Sequence, residues 1–377
     1  MKILFLVENY YDFYTKYIQN HPDLQKKSYE DQCLILFEQH FYQSDSYAYG
    51  MKQLGYDTSQ VIMDCKPLQH KWSREHGLFV SPNWFSRCLS VLCSVITLRN
   101  PDFSFQWQKQ ILLEQIKRIK PDIIFCFSGV PINKKILSDV KKYIRYLVCQ
   151  WSCPIPEDYP FRYYDLIISS SKALVERFHD MGHKCEYLPQ AFDDRILTRI
   201  DTNGSRNGVV FIGSFSPKVH KGRIKLLEYL SKHINIDIYG PSKFLLECQS
   251  LHKNFCGEAF GLEMYRIYSR YKIAIHAHGE VAGDFVGAKR LFEVTGVGTL
   301  LLTDNKKDTK DFFRTGEEII TYTDEVDCLN KIRYYLAHED GCISIAKAGQ
   351  RRTLSNHTFG ICMKELAAII EKNIQNR

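Results

Sequence analysis

Short apolar runs and amphipathic stretches alternate along almost the whole chain. Residues 2–7, Lys-Ile-Leu-Phe-Leu-Val, are apolar with no polar break, as in a strand covered on both faces. The pattern next predicts a long helix from Tyr29 to Leu54, ended by Gly55, and a strand near 58–63. About residues 65–104 read as an irregular insertion. A helix over 106–119 stops ahead of Pro121, because the residue before a proline resists the helical conformation. A strand at 122–127 runs into Ser128-Gly129, followed by helix 134–143 and strands at 146–150 and 165–169. A helix over 171–181, with Ser169 or Ser170 as N-cap and Gly182 as C-cap, leads to a short strand at 185–188.

The periodicity pauses over 195–208, where Asp201-Thr-Asn-Gly-Ser-Arg-Asn-Gly208 is polar and turn-rich, and this stretch reads as a linker. Beyond it the alternation resumes. Strands are predicted near 209–213, 235–239, 272–277, 299–303 and 318–321. Helices are predicted near 222–232, 242–250, 261–270, 287–295, 325–337, 340–350 and 359–373. Strands alternating with helices build parallel sheets. Two successive halves of this kind predict an α/β protein of two Rossmann-like domains facing each other across a cleft, residues 1–195 and 208–358.

In open parallel sheets, ligands sit at the carboxyl ends of strands and at helix N-termini. Two segments of the second half have that setting. Gly213-Ser214-Phe-Ser-Pro-Lys218-Val-His-Lys221-Gly-Arg223 follows an apolar strand and opens a helix. Its small residues let backbone N–H groups approach an anion, and Lys218, Lys221 and Arg223 add positive charge; a solvated basic turn is the plainer reading. Lys289-Arg290-Leu-Phe-Glu293 offers two cations, a carboxylate and a helix start in one place, which suits a ligand with both phosphates and hydroxyls. Arg290 stands three residues before Glu293, so the two side chains share a helix face and a plain salt bridge is an equal alternative.

Three acid or base candidates stand out. His278 and Asp284 lie in the polar, glycine-rich loop after the 272–277 strand, where His276 reads as a strand residue facing the sheet. Glu8 ends the first strand and is placed to act as a general base, or as an ordinary loop acid. No Asp-x-Asp occurs in the chain, and no cysteine pair has zinc-site spacing, so no metal site is expected.

The Glu293 segment resembles the nucleotide-sugar-binding segment of group 1 glycosyltransferases of the GT-B fold, most nearly their CgeB-like branch. The resemblance extends through Gly208–Pro217, Asp237-Ile-Tyr239-Gly240, Phe255-Cys-Gly257 and Gly349–Thr358, and covers most of residues 208–373. It implies a nucleoside-diphosphate sugar as donor, with no further cofactor. Its donor contacts would come from Gly213, Ser214, Lys218, Lys221, Arg223, Tyr239, Gly240, Lys289, Arg290 and Glu293, the last receiving the ribose hydroxyls. It also implies that the end of the chain, 359–377, crosses back onto the N-terminal domain. The family's glutamate eight residues before the second is here Phe285, with Asp284 one position off, so a retaining mechanism does not carry over. Pro189-Gln-Ala-Phe-Asp193 matches the family's turn before the crossover only in part, Ala191 replacing its glycine. The acceptor implied is a glycan or lipid-linked glycan, with surface polysaccharide synthesis as the setting. A sugar-nucleotide epimerase, or a non-catalytic binding protein of surfaces or spores, remains the alternative.

Composition narrows this further. With 377 residues, 45% hydrophobic and 25% charged, the chain is globular and long enough for two domains. A net charge of +7 is too small and too scattered for a nucleic-acid binder, but compatible with anionic sugar nucleotides or peripheral contact with an anionic membrane. Thirteen scattered cysteines read as reduced thiols, which points to the cytoplasm, with the inner membrane face left open. The stretch Trp84–Thr97 is too short to span a bilayer and reads as a packing helix rather than an interfacial one.

Overall fold

The structure is a computed structural model that describes residues 1–80, 106–128, 130 and 132–375. The predicted stretch Trp84–Thr97, Gly129 and most of the expected insertion lie outside the described residues. The chain forms two compact units. The first takes in Met1–Gln39, Gln43–Trp151 and Ile155–Ile167, the second His40–Tyr42, Ser152–Pro154 and Ile168–Arg377.

Two parallel six-stranded sheets carry the fold. The first has the order β2-β1-β3-β4-β5-β6, with β1 at Lys2–Val7, β2 at Asp57–Ile62, β3 at Ile123–Phe127, β4 at Tyr146–Gln150, β5 at Leu166–Ser169 and β6 at Cys185–Tyr187. The order follows hydrophobicity. β1, β3 and β4 are apolar and buried, and they occupy the middle, whereas β2 begins exposed at Asp57 and forms an edge.

The second sheet has the order β12-β11-β10-β7-β8-β9. Its central strands are β7 (Val209–Ile212), β10 (Ile273–His276) and β11 (Leu300–Asp304); β8 (Asp237–Tyr239), β9 (Phe255–Gly257) and β12 (Ile320–Tyr322) are shorter. Alternation along each strand divides the interior in two. Val209, Phe211, Ile273, Ile275, Leu300 and Leu302 join one core, which includes Leu226, Leu227 and Leu230 of helix Lys221–His233. Val210, Ile212, Ala274 and Leu301 join the other, under helices Gly261–Arg270 and Arg290–Gly296.

Several predicted elements change form. The expected helix over Tyr29–Leu54 is two helices, Tyr29–Phe37 and Ser46–Gln53. The backbone between them enters the left-handed region at His40, Tyr42 and Ser44, which no right-handed helix accommodates, and the Ser44 hydroxyl donates to the Phe37 carbonyl at 2.7 Å. Within the expected irregular insertion, Lys66–Glu75 is a regular helix with proline in its first turn. The expected helix over 242–250 is replaced by short 3₁₀ turns at Ser242–Phe244 and Gln249–Asn254, since Glu258 holds both the amide and the hydroxyl of Ser242. The cap of helix Lys172–Asp180 is Ser171, whose hydroxyl accepts from the Leu174 amide, rather than Ser169 or Ser170.

Residues 195–208 lie in the second unit, where Arg206 donates to Thr299 Oγ1 and to the Val297 carbonyl at 2.6 and 2.8 Å. The last helix, Phe359–Gln375, follows a parallel bridge between Phe192 and Thr358 and bonds the Pro189 carbonyl through Cys362. No helix among the described residues is long and apolar enough to cross a membrane, and every described cysteine is free.

Backbone contact leaves no room for a side chain at Gly349. A Cβ on Gly349 would stand 2.3 Å from the Glu318 carbonyl oxygen, inside the packing of helix Glu339–Asn356 against the strand side. Gly349→Ala is expected to lower the unfolding free energy by about 1–3 kcal/mol, the usual range for overpacking, as read by urea denaturation. An unchanged midpoint would mean that this helix shifts freely.

Candidate active site

The carboxyl ends of β7, β10 and β11 gather the polar residues of the second unit. The loop after β7 leads into helix Lys221–His233, whose N-cap, His220, supplies no side-chain cap. The helix therefore presents amides at its start, and among the described residues only the Gly222 amide reaches a side chain there, Glu280 Oε1 at 3.4 Å. Arg223 projects inward and is buried. Its Nε and Nη2 donate to the Ala277 carbonyl and its Nη1 to the Ser214 carbonyl at 2.6 Å, tying this loop to the end of β10. These bonds use three of the five guanidinium N–H groups. Among the described residues no carboxylate pairs with Arg223. Burial, then the neighbouring Arg290, pulls its guanidinium down to about 10, so it stays charged at neutral pH.

Helix Arg290–Gly296 brings in a second cation. Arg290 Nε donates to the Ile212 carbonyl at the end of β7, and Nη1 donates to Glu293 Oε2. Glu293 is buried, with Tyr265 donating to its Oε1 at 2.9 Å and Lys289 Nζ 3.5 Å from the same oxygen. Burial pushes this carboxyl up, but the charges of Arg290 and Lys289 and the Tyr265 hydrogen bond outweigh it and hold the group below its ordinary range. Glu293 is thus an ionised buried carboxylate already engaged on both oxygens, and its pair with Arg290 is the i, i+3 salt bridge. Lys289 also donates to the Tyr42 carbonyl at 2.6 Å.

His278 follows β10 and is buried. Asp304, the last residue of β11, accepts from the His278 amide at 2.9 Å and contacts His278 Nδ1 at 2.7 Å. Among the described residues, the Nε2 atoms of His278 and of His276 are both buried without a hydrogen-bond partner, and the two rings meet edge to face at 4.7 Å. Burial opposes ionisation of Asp304, but His278 overrides it and holds the carboxyl well below its usual range. His276 is held neutral, by burial first, with Arg223 adding to it.

The remaining predicted residues are placed differently. Lys218 and Lys221 are exposed. Asp284 is exposed and pairs with Lys307 rather than joining the buried group. Gly240 serves the backbone: a Cβ there would lie 2.3 Å from the Gly213 carbonyl oxygen, so the turns after β7 and β8 touch only because it is glycine. The Tyr239 side chain lines a separate surface pocket of about 310 Å³ with Asp237, Arg270 and Tyr271.

In the first unit, Glu8 directly follows β1 and is half-buried. Burial and then Asp64, which follows β2, push its carboxyl up to about 8. Asp64 accepts from the Asn9 amide at 3.0 Å, and burial raises it to about 6. Sequence reasoning missed Asp64, Asp304 and Tyr265. For the first two a signal was present, since each acid follows an apolar run that predicts a strand, as Glu8 does.

Two parallel sheets with polar groups collected at strand ends define the GT-B fold class, and solved structures bear out the fold. Over 100% of this chain and 99% of its own length, a glycosyltransferase from Rickettsia africae matches with a TM-score of 0.59 at 12% identity. Anabaena HepE, crystallised with UDP and glucose, matches over 99% of this chain and 100% of its own, with a TM-score of 0.59 at 13% identity. Sucrose-phosphate synthase from Thermosynechococcus elongatus matches over 74% of this chain and 81% of its own, with a TM-score of 0.52 at 10% identity. Residues 223–368 match the family described as glycosyl transferase-like, so this segment is a glycosyltransferase-like domain. It contains Arg223, His278, Arg290, Glu293 and Asp304. No curated protein sequence matches the chain.

The raised Glu8 carboxyl has a consequence for stability. The folded protein keeps this proton up to about pH 8, whereas an unperturbed glutamate releases it near 4.5, so the folded state binds more protons across that window. This group's stabilising contribution is complete below 4.5 and is lost as pH rises to about 8. Urea denaturation at about pH 5 and about pH 8 should show Glu8→Gln losing less stability over the interval than the wild type. Equal losses would mean that Glu8 is solvated and unshifted.

Proposed function

We propose that this chain is a metal-independent glycosyltransferase that moves a sugar from a nucleoside-diphosphate sugar to a hydroxyl of a glycan or lipid-linked glycan, in the assembly of a surface polysaccharide or related glycan. The observation that carries the reading is Arg223, buried beside Arg290 with no carboxylate partner among the described residues, at the start of an uncapped helix within a glycosyltransferase-like domain. Two neighbouring cations and open helix amides suit a diphosphate, whose leaving-group charge they would neutralise without a divalent ion. Lys218 and Lys221, exposed on the same loop, would guide the anion in. Lys289, Arg290 and Glu293 would hold the nucleotide side.

The step proposed is displacement at the anomeric carbon through an oxocarbenium-like transition state. The acceptor hydroxyl attacks as the diphosphate leaves, and in an inverting reaction a base takes the hydroxyl proton. Glu8 is assigned that role. A carboxyl near 8 is a stronger base than an ordinary glutamate, and its activity would rise with pH as it ionises. The acceptor is assigned to the first unit. The complex of HepE with UDP and glucose makes UDP-glucose the first donor to try.

A thermal-shift panel of UDP, GDP, ADP, CMP and their sugars, with EDTA present, tests the reading. One diphosphate class should raise the melting temperature, by the equivalent of about 2.7 kcal/mol at a hundredfold excess over Kd. Arg223→Gln should weaken that ligand about 10- to 100-fold by removing a charge-assisted contact. Glu8→Gln should leave donor binding intact and lower transfer by about 10²–10⁴-fold. A panel with no shift would contradict the donor site, and full transfer by Glu8→Gln would contradict the assigned base.

A further inference from the structure

We propose that Asp304 and His278 form a proton-accepting dyad for the diphosphate: Asp304 fixes the imidazole through Nδ1, and Nε2 gains a proton when a nucleoside diphosphate binds and donates a hydrogen bond to a phosphate oxygen. The proposal rests on the donor-site reading above.

Geometry assigns the two nitrogens. An ionised carboxylate can only accept, so Nδ1, 2.7 Å from Asp304 Oδ1, carries a hydrogen. The same oxygen also accepts from the His278 amide at 2.9 Å, so backbone and ring are anchored to one acceptor. In the neutral ring, Nε2 is then a lone pair. It is buried and, among the described residues, has no partner, which is unfavourable for a polar group. A structural histidine is ordinarily satisfied at both nitrogens. One held at Nδ1 and unpaired at Nε2 suits a hydrogen-bonding ligand.

The surrounding charges decide what that guest is. From helix Lys221–His233 comes Arg223, and from helix Arg290–Gly296 comes Arg290. From β10 comes His276, whose ring stays neutral and therefore does not compete for the proton. After β11, Lys306 Nζ lies 3.2 Å from Asp304 Oδ2 and offsets part of the carboxylate charge. From β12, Tyr322 donates to the His276 carbonyl, and from the loop and helix start, Glu280 and His220 face one another at 3.8 Å. A diphosphate brings negative charge that the cations cannot fully meet, since their N–H groups are partly committed to carbonyls and to Glu293. The proton then arrives with the ligand. No covalent bond is made or broken at the imidazole, and the proton returns to solvent when the nucleotide leaves. Asp304 is a positioning residue in this scheme.

Calorimetric titration of the full chain with UDP, GDP and ADP, in two buffers of different ionisation enthalpy, reads the proton directly. The wild type should take up a substantial fraction of one proton per nucleotide at about pH 7.5, and should bind several-fold more tightly at about pH 6 than at about pH 8. His278→Gln should abolish the uptake and weaken binding about tenfold. Asp304→Asn keeps an acceptor but loses the charge, so uptake should shrink and the pH dependence should move to lower pH. Nucleotide binding without proton uptake by the wild type, or uptake unchanged in His278→Gln, overturns the dyad and leaves the donor site standing. No nucleotide binding at any pH overturns the donor site and the dyad together.

Discussion

The second unit is organised around a buried carboxylate, Glu293, that cannot be left alone. Arg290, Lys289 and Tyr265 all converge on it, and Arg290 also reaches the end of β7 through the Ile212 carbonyl. One ionic cluster thereby links helices Gly261–Arg270 and Arg290–Gly296 to the central strand. Removing one member of such a group typically costs about 3–5 kcal/mol, because the partner's charge stays buried. The short helix is also fitted closely from behind, where a Cβ on Gly296 would lie 2.6 Å from the Phe192 ring. The position of Arg290, and with it the second cation beside Arg223, follows from these constraints.

The site's chemistry comes from an imbalance between its two arginines. Arg290 meets a carboxylate, whereas among the described residues Arg223 hydrogen-bonds to carbonyl oxygens and to no carboxylate. A buried guanidinium without a counter-ion is tolerable when an anion visits, and the uncapped helix beginning at Lys221 points to the same kind of guest. His278 is the third element, an imidazole anchored on one nitrogen and unsatisfied on the other. All three lie at carboxyl ends of parallel strands, where the topology itself leaves backbone groups and loops available.

Much of this was legible in the sequence because buried parallel strands announce themselves. The apolar runs at Lys2–Val7, Ile273–His276 and Leu300–Asp304 are strands as their hydrophobicity predicts, and the residues just beyond them are the polar ones that matter. Glu293 and Arg290 were readable as an i, i+3 pair on one helix face. What stayed hidden depends on contacts distant in sequence. Tyr265 reaches Glu293 across 28 positions, and Asp304 reaches His278 across 26. Residues Ser242–Asn254 have helical composition, yet Glu258 draws the backbone into 3₁₀ turns, and the break in Tyr29–Leu54 needs left-handed residues that composition does not mark. Gly240, which the family resemblance placed among ligand contacts, is required by the Gly213 carbonyl.

The most direct test is a crystal structure of the protein with the nucleoside diphosphate that the binding panel selects. The account predicts phosphate oxygens within hydrogen-bond distance of Arg223 and Arg290, near the Lys221 helix start, with His278 Nε2 donating to one of them. A nucleotide bound elsewhere, such as the pocket lined by Tyr239, Arg270 and Tyr271, with Arg223 still bound only to carbonyls, would contradict it.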